Sequence, residues 1–234
     1  MLLNNVGEHI YLPGDVINSK IQTVCDGETV RLGPGLSKHN TDVTVSKAGS
    51  LCFGPPNTFW IDCHQKRYIP CKGENVIGVI SGKQGDYYKV DIGSSDQALL
   101  NFLSFEGASK RNRPNLSPGD VVFGKLAIAN KHMEPEMTCV DVNGKANGMG
   151  LVDDKYGILF QTSLNLARKL LSPDCILLPE LGSRLAFEVI VGLNGKIALF
   201  CKSSAQTITL MKLINESEYL SNEQMLDVLK GMFL

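Results

Sequence analysis

The sequence predicts a mainly β chain that ends in an α+β domain, and three observations carry this. Before residue 143, short apolar runs alternate with clusters of Gly, Pro, Asn and Asp, the pattern of strands and turns. A glycine-rich stretch over 143–150 then interrupts the chain. Beyond it, strand-like runs mix with segments that carry helix caps and a helical period. The expected division is a small β domain over 1–70, a five-stranded barrel over 71–145 and an α+β domain over 151–234.

In the first domain, Leu12-Pro13-Gly14-Asp15 is a turn, because Pro fixes φ and Gly is free to take a positive one. Gly33-Pro34-Gly35 and Gly54-Pro55-Pro56-Asn57 punctuate the rest. Residues 42–46 and 59–61 read as strands, and no helical period of useful length is present. No chemistry is evident here. Exposed loops and edges predict contact with another protein or domain.

The middle domain is clearer. Strands are expected at 75–80, 87–92, 98–103, 121–129 and 137–142. On the second, Tyr88, Val90 and Ile92 share one face, which turns Tyr87, Lys89 and Asp91 outward. Five strands with one long connection between the third and fourth describe an OB barrel, a fold that binds single strands on one face with its loops helping.

Residues 143–150 read as a linker. After it, Thr162 or Ser163 caps a helix with Leu164, Ala167, Leu170 and Leu171 on one face, Arg168 and Lys169 in its last turn and Pro173 beyond. Residues 187–191 and 196–200 are strands. A helix passes through Ile208, Met211 and Ile214. Ser221-Asn222-Glu223-Gln224 is a capping box that opens a last helix with Met225, Leu229 and Met232 inward.

A 234-residue chain with 43% hydrophobic content buries substantial cores, and its net charge of −1 excludes binding through a polycationic tail. No run of 18 apolar residues is present, so no membrane span is expected. The start lacks the basic and apolar regions of a signal peptide. Seven irregularly spaced cysteines then read as reduced thiols of a cytosolic or nuclear protein. Cys63-His64 with Cys71 offers no metal-site spacing, so neither metal nor cofactor is expected.

Charge is local instead. Within 105–116, Lys110, Arg111 and Arg113 place three cations in four residues around Asn112, with no carboxylate adjoining them. Gly107 and Pro114 mark the segment as an exposed loop. Such a loop suits the phosphates of a flexible nucleic acid, with a ligand-free solvated loop as the alternative. Lys83, between the first two barrel strands, and the outward Lys89 complete the candidate RNA-binding set with Lys110, Arg111, Asn112 and Arg113. With about three phosphates neutralised, log K against log salt should slope at only about −2 for a single strand.

Gly192-Leu193-Asn194-Gly195 sits between two strands, where Asn-Gly signals a type I′ hairpin with both central residues at positive φ. A GXXG loop that clamps an RNA backbone normally joins helices, and the strand flanks argue against one. With this motif, the segment 105–116 and the run from Asn75 to Gly93, the whole chain resembles the S1/KH cap subunits of the RNA exosome. The resemblance implies an S1-type barrel, a KH-like last domain and a non-catalytic role. In that family three cap subunits sit on a ring of six RNase PH-like subunits, hold it together and guide single-stranded RNA to a separate 3′→5′ exonuclease. It further implies that Gly192, Asn194 and Gly195 are structural, and that the protein resides in the nucleus and nucleolus and also in the cytoplasm. Where many S1 domains carry base-stacking aromatics and a His, this sequence has Asp86, Lys89 and Asn101.

Two other classes compete. A free-standing single-stranded RNA-binding regulator needs stacked aromatics or an intact clamp. An enzyme needs a catalytic constellation, and the sequence has no Walker loop, H-E-x-x-H or G-x-S-x-G. Its adjacent carboxylates, Asp153-Asp154, read as a solvated turn without a third ligand. No catalytic residue is expected.

Overall fold

Apolar alternation broken at each Gly/Pro cluster folds the first unit, Met1–His64, largely as strands. The computed structural model describes residues 4–24, 29–130, 132–152, 157–173 and 175–232. In chain order the first unit holds β1 (Asn4–Tyr11), α1 (Asn18–Val24), β2 (Arg31–Leu32), β3 (Leu36–His39), β4 (Asp42–Val45), β5 (Gly49–Gly54) and β6 (Thr58–Asp62). One sheet has the order β1-β5-β6-β2, and β3 and β4 form a separate hairpin. Ile17, Ile21, Leu51, Phe59 and Ile61 are core residues. Helix α1 departs from the expected helix-free domain. Its seven residues are too short to show a period, and it is fixed tertiarily: Asn18 donates to the Asp42 carboxylate and accepts from Val43 N, both at 2.7 Å.

The second unit, Gln65–Leu234, contains the barrel and the α+β part. The barrel strands are β7 (Asn75–Gln84), β8 (Tyr87–Asp91), β9 (Ala98–Asn101), β10 (Val121–Asn130) and β11 (Met133–Thr138), with β12 (Gly150–Leu151) added at β10. The order β11-β9-β8-β7-β10 closes through β10–β11 pairing, and β9 and β11 run parallel. Val76, Ile80, Tyr88, Val90, Leu100 and Leu126 fill the interior.

Three expectations are corrected here. Strand β11 starts at Met133 instead of residue 137. The strand includes Pro135, which lies where the β10–β11 register shifts and no ladder donor is needed. Strand β9 stops at Asn101, and Leu103 is exposed. The 143–150 linker is instead a fastened turn: the Asp141 carboxylate accepts from Asn143 N, Lys145 N and Asn147 Nδ2, and Gly150 pairs with Phe123.

The α+β part comprises β13 (Gly157–Gln161), α2 (Leu164–Leu171), α3 (Leu177–Arg184), β14 (Phe187–Val191), β15 (Lys196–Cys201), α4 (Ser204–Glu216) and α5 (Asn222–Met232). Its sheet is antiparallel, β13-β15-β14. Ser163 caps α2 through Leu166 N, and Ser221 and Gln224 form the reciprocal box at α5. On α2, Leu171 is 48% exposed instead of lining the buried face, where Leu166 joins Leu164, Ala167 and Leu170. On α4 the buried face is Thr207, Leu210, Leu213 and Ile214, while Ile208 is outside. Helix α3 was hidden by Pro179 and Gly182. Pro179 falls in its first turn, where its missing N–H removes no helical bond. Met225 and Leu229 are buried, whereas the Met232 side chain and Asp153-Asp154 lie outside the described residues.

Candidate nucleic-acid interface

The cationic loop is held at both ends and left open in its middle. Leu116 is buried in the barrel core, and Phe105 packs against it. The Tyr88 hydroxyl, inside the barrel end, donates to Pro114 O and accepts from Leu116 N. Between these anchors Ser109 N donates to Asn112 O, Asn112 N donates to Ser109 Oγ at 3.0 Å, and Asn112 Nδ2 reaches Gly107 O. Asn112 thus shapes the loop with both its backbone and its amide.

Glu106 is turned away from the cations. Its carboxylate accepts from Ala146 N at 2.7 Å, and Cys139 N donates to Ser104 O, so the fastened 141–147 turn braces the loop.

Lys110, Arg111, Asn112 and Arg113 are all exposed. Arg113, however, does have a carboxylate beside it. Its Nη1 lies 3.1 Å from Asp86 Oδ1, in the β7–β8 turn, while its Nε donates to Lys110 O. That corrects the reading of three unneutralised cations. Asp86 is distant in sequence and arrives through barrel closure. Both partners are largely exposed (49% and 72%), so the pair is worth little in stability and is open to competition. Lys110 and Arg111 have no side-chain ion pair or hydrogen bond among the described residues.

Closure also collects Lys83. Its Nζ stands 4.8 Å from the Phe102 ring centre and 5.8 Å from that of Tyr88, and the Arg113 guanidinium is 5.6 Å from Phe102. Asp86, Asn101, Phe102, Leu103, Lys110 and Arg113 line a crevice of about 80 Å³. It is too small for a base-sized ligand and suited to a phosphate-sized group. Lys83, Lys110 and Arg113 therefore meet at one end of the barrel. Lys89 does not join them: it lies on the outer face of β8, in register with Gly82 and Leu99. On that wall Tyr87 is 39% exposed opposite Asn101, an aromatic surface beside the positions held by Asp86, Lys89 and Asn101. Sequence reasoning missed Phe102 as the ring beneath the cations, the Glu106 tie and the Asp86 pair. The Glu106 and Asp86 contacts span 40 and 27 residues, beyond the reach of a local pattern.

The second motif has a different setting. Between β14 and β15, Gly195 N donates to Gly192 O and Gly192 N to Lys196 O, with Gly195 at φ +78°. Asn194 has no positive φ, so the turn is type I followed by a left-handed glycine and not the expected type I′. The physical reason is the Asn194 side chain, 2% exposed and drawn into the barrel. Its Nδ2 donates to Ile77 O at 2.7 Å and Ile92 O at 2.8 Å, and its Oδ1 accepts from Ile77 N at 3.3 Å. Leu193 N donates to Asn75 O, and Lys196 Nζ to Asp91 O at 2.9 Å and Asp91 Oδ2 at 3.3 Å. Burial alone would raise the Asp91 carboxyl pKa, but the Gly93 amide and the Lys196 ammonium hold it below its ordinary value. A Cβ on Gly192 would come 2.4 Å from Asn194 Oδ1, and one on Gly195 2.7 Å from Thr162 O. The amides of 192, 193 and 195 are already bonded, so they offer nothing to a phosphate.

Three family models cover most of the chain: the S1 domain of exosome complex component RRP40 over 68–150, a KH domain over 157–203, and the N-terminal domain of mammalian exosome complex component RRP40 over 9–64. The chain is 42% identical over 212 residues to exosome complex component RRP40 of Homo sapiens, covering 88% of this chain and 74% of that protein. It is 42% identical over 209 residues to the Drosophila melanogaster protein of that name (89% of each), and 36% over 197 residues to the Saccharomyces cerevisiae one (80% and 81%). A crystal structure assigned as an exosome complex RNA-binding protein superposes with a TM-score of 0.57 at 23% identity, covering 71% of this chain and 97% of that one. That last likeness is one of fold.

Proposed function

The chain belongs to the RRP40 family of exosome complex components, and from that premise we propose that it is a non-catalytic, RNA-binding cap subunit of the RNA exosome. The observation that carries this is the RRP40 likeness running through all three domains, joined to an S1 barrel whose end gathers Lys83, Lys110 and Arg113. The subunit stabilises a ring of RNase PH-like subunits beside other cap subunits and guides single-stranded RNA toward a 3′→5′ exonuclease. Lys83, Lys110, Arg111 and Arg113 contact RNA phosphates at the barrel end, with Asn112 holding their loop. Lys89 and Tyr87 extend the contact along the outer wall. Gly192, Asn194 and Gly195 lock the KH-like part onto the barrel. The protein acts in the nucleus and nucleolus and also in the cytoplasm.

Two cations without partners among the described residues and one shared with Asp86 support weak binding alone, which suits one wall of a path shared between subunits. The test is affinity purification with identification of partners by mass, followed by RNA protection by the assembled complex. Ring and cap subunits should co-purify, and changing Lys110, Arg111 and Arg113 together to Ala should shorten the protected RNA. Unchanged protection would remove the loop from the path. Metal-dependent degradation of RNA by the clean chain would overturn the non-catalytic reading.

A further inference from the structure

We propose that Ser109 is a phosphorylation site for a serine/threonine kinase directed by basic residues, and that its phosphate closes the cationic loop to RNA. The inference rests on the reading of this loop as an RNA contact and adds its regulation.

Ser109 is exposed at the start of the turn Ser109-Lys110-Arg111-Asn112, with cations one, two and four positions after it. The small residues Gly107 and Ala108 precede it, and Ser109 itself is exposed to solvent. Lys110 and Arg111 have side chains without partners among the described residues. Ser109 Oγ already accepts from Asn112 N at 3.0 Å, which places a backbone donor beside any group attached there.

In the transfer, Ser109 Oγ attacks the γ-phosphorus of ATP and the bond from that phosphorus to the β–γ bridging oxygen breaks. ADP leaves, and the hydroxyl proton passes to the kinase's carboxylate base. The product carries about −1.5 to −2 charges and three acceptor oxygens among Lys110, Arg111 and Arg113. It presents in cis the chemistry that an RNA phosphate presents in trans, so the cations close on it and the loop's field for RNA collapses.

The purified full chain is incubated with ATP and the catalytic domain of protein kinase C, which selects serines followed by Lys or Arg, and sites are mapped by mass spectrometry. Ser117 is an internal control, exposed in the same connection but followed by Pro118, Gly119 and Asp120. Ser109 should be modified and Ser117 not. The phosphorylated chain should bind a single-stranded oligoribonucleotide about tenfold more weakly at low salt, its salt slope falling from about −2 to about −1. Absence of phosphate at Ser109 overturns the proposal, as does full phosphorylation with unchanged affinity. The variant K110A/R111A/R113A separates the two readings. If it binds RNA like the parent, the loop is no RNA contact and the proposal falls with it. If it binds weakly while phosphorylated Ser109 does not, regulation alone fails.

Discussion

The hairpin at 192–196 and the loop at 107–113 use the same few residue types, glycine, asparagine and long cations, with opposite results. In the hairpin, Asn194 is buried with three backbone partners and the Lys196 ammonium bonds Asp91 twice. In the loop, Asn112 only shapes the turn while Lys110 and Arg111 project without partners among the described residues. A polar group whose bonds are all satisfied inside the protein contributes structure. One left exposed and unsatisfied is available to a ligand. The glycines divide the same way: Gly192 and Gly195 have no room for a side chain, and Gly107 has open space.

Each side of the contrast can be broken. The largest effect belongs to Asn194→Ala, which strands Ile77 N, Ile77 O and Ile92 O in the buried junction. It should cost about 2–4 kcal/mol in chemical denaturation. Stability equal to the parent's would show that the hairpin does not hold the barrel. Gly192→Ala follows at about 2 kcal/mol, since its Cβ forces Asn194 or β7 to shift. On the other side, K110A/R111A/R113A should lower affinity for single-stranded RNA about tenfold at low salt and flatten its salt dependence. Its stability should stay within about 0.5 kcal/mol of the parent's, because the ion pair lost there, with Asp86, is exposed.

Smaller still is the pH test. Asp91 is depressed in the folded chain, so its contribution is present above about pH 4 and disappears as pH falls through the lower folded value. Asp91 is 55% exposed, and screening keeps that contribution under about 1 kcal/mol. Asp91→Asn should remove this acid-dependent slope from stability measured by denaturant between roughly pH 2 and 5. Lys89→Ala should change RNA affinity less than about twofold, since Lys89 lies off the cationic cluster. A larger loss than the loop variant shows would move the binding site to the outer wall.

Much of the barrel was legible because its signals are local. The alternation around Tyr88 and Val90 is contained in a few residues, as is the capping box at Ser221 in the α+β part. Elements without a local signal were misread. Helix α1 is too short for a period, α3 contains Pro179 and Gly182, and β11 contains Pro135. The buried face of α4 was displaced because Thr207 serves there beside Leu210 and Leu213, a choice made by the sheet it covers.

By itself the sequence determined that 110–113 is a cationic, solvent-facing loop and that a tight turn joins β14 to β15, since Gly, Pro and charge act over a few bonds. Tertiary structure alone decided which groups these segments meet. Asp86 reaches Arg113 across 27 residues, Glu106 reaches Ala146 across 40, and Asn194 reaches Ile77 across 117. Such pairings follow from strand register and barrel closure, which set distances that no local pattern encodes.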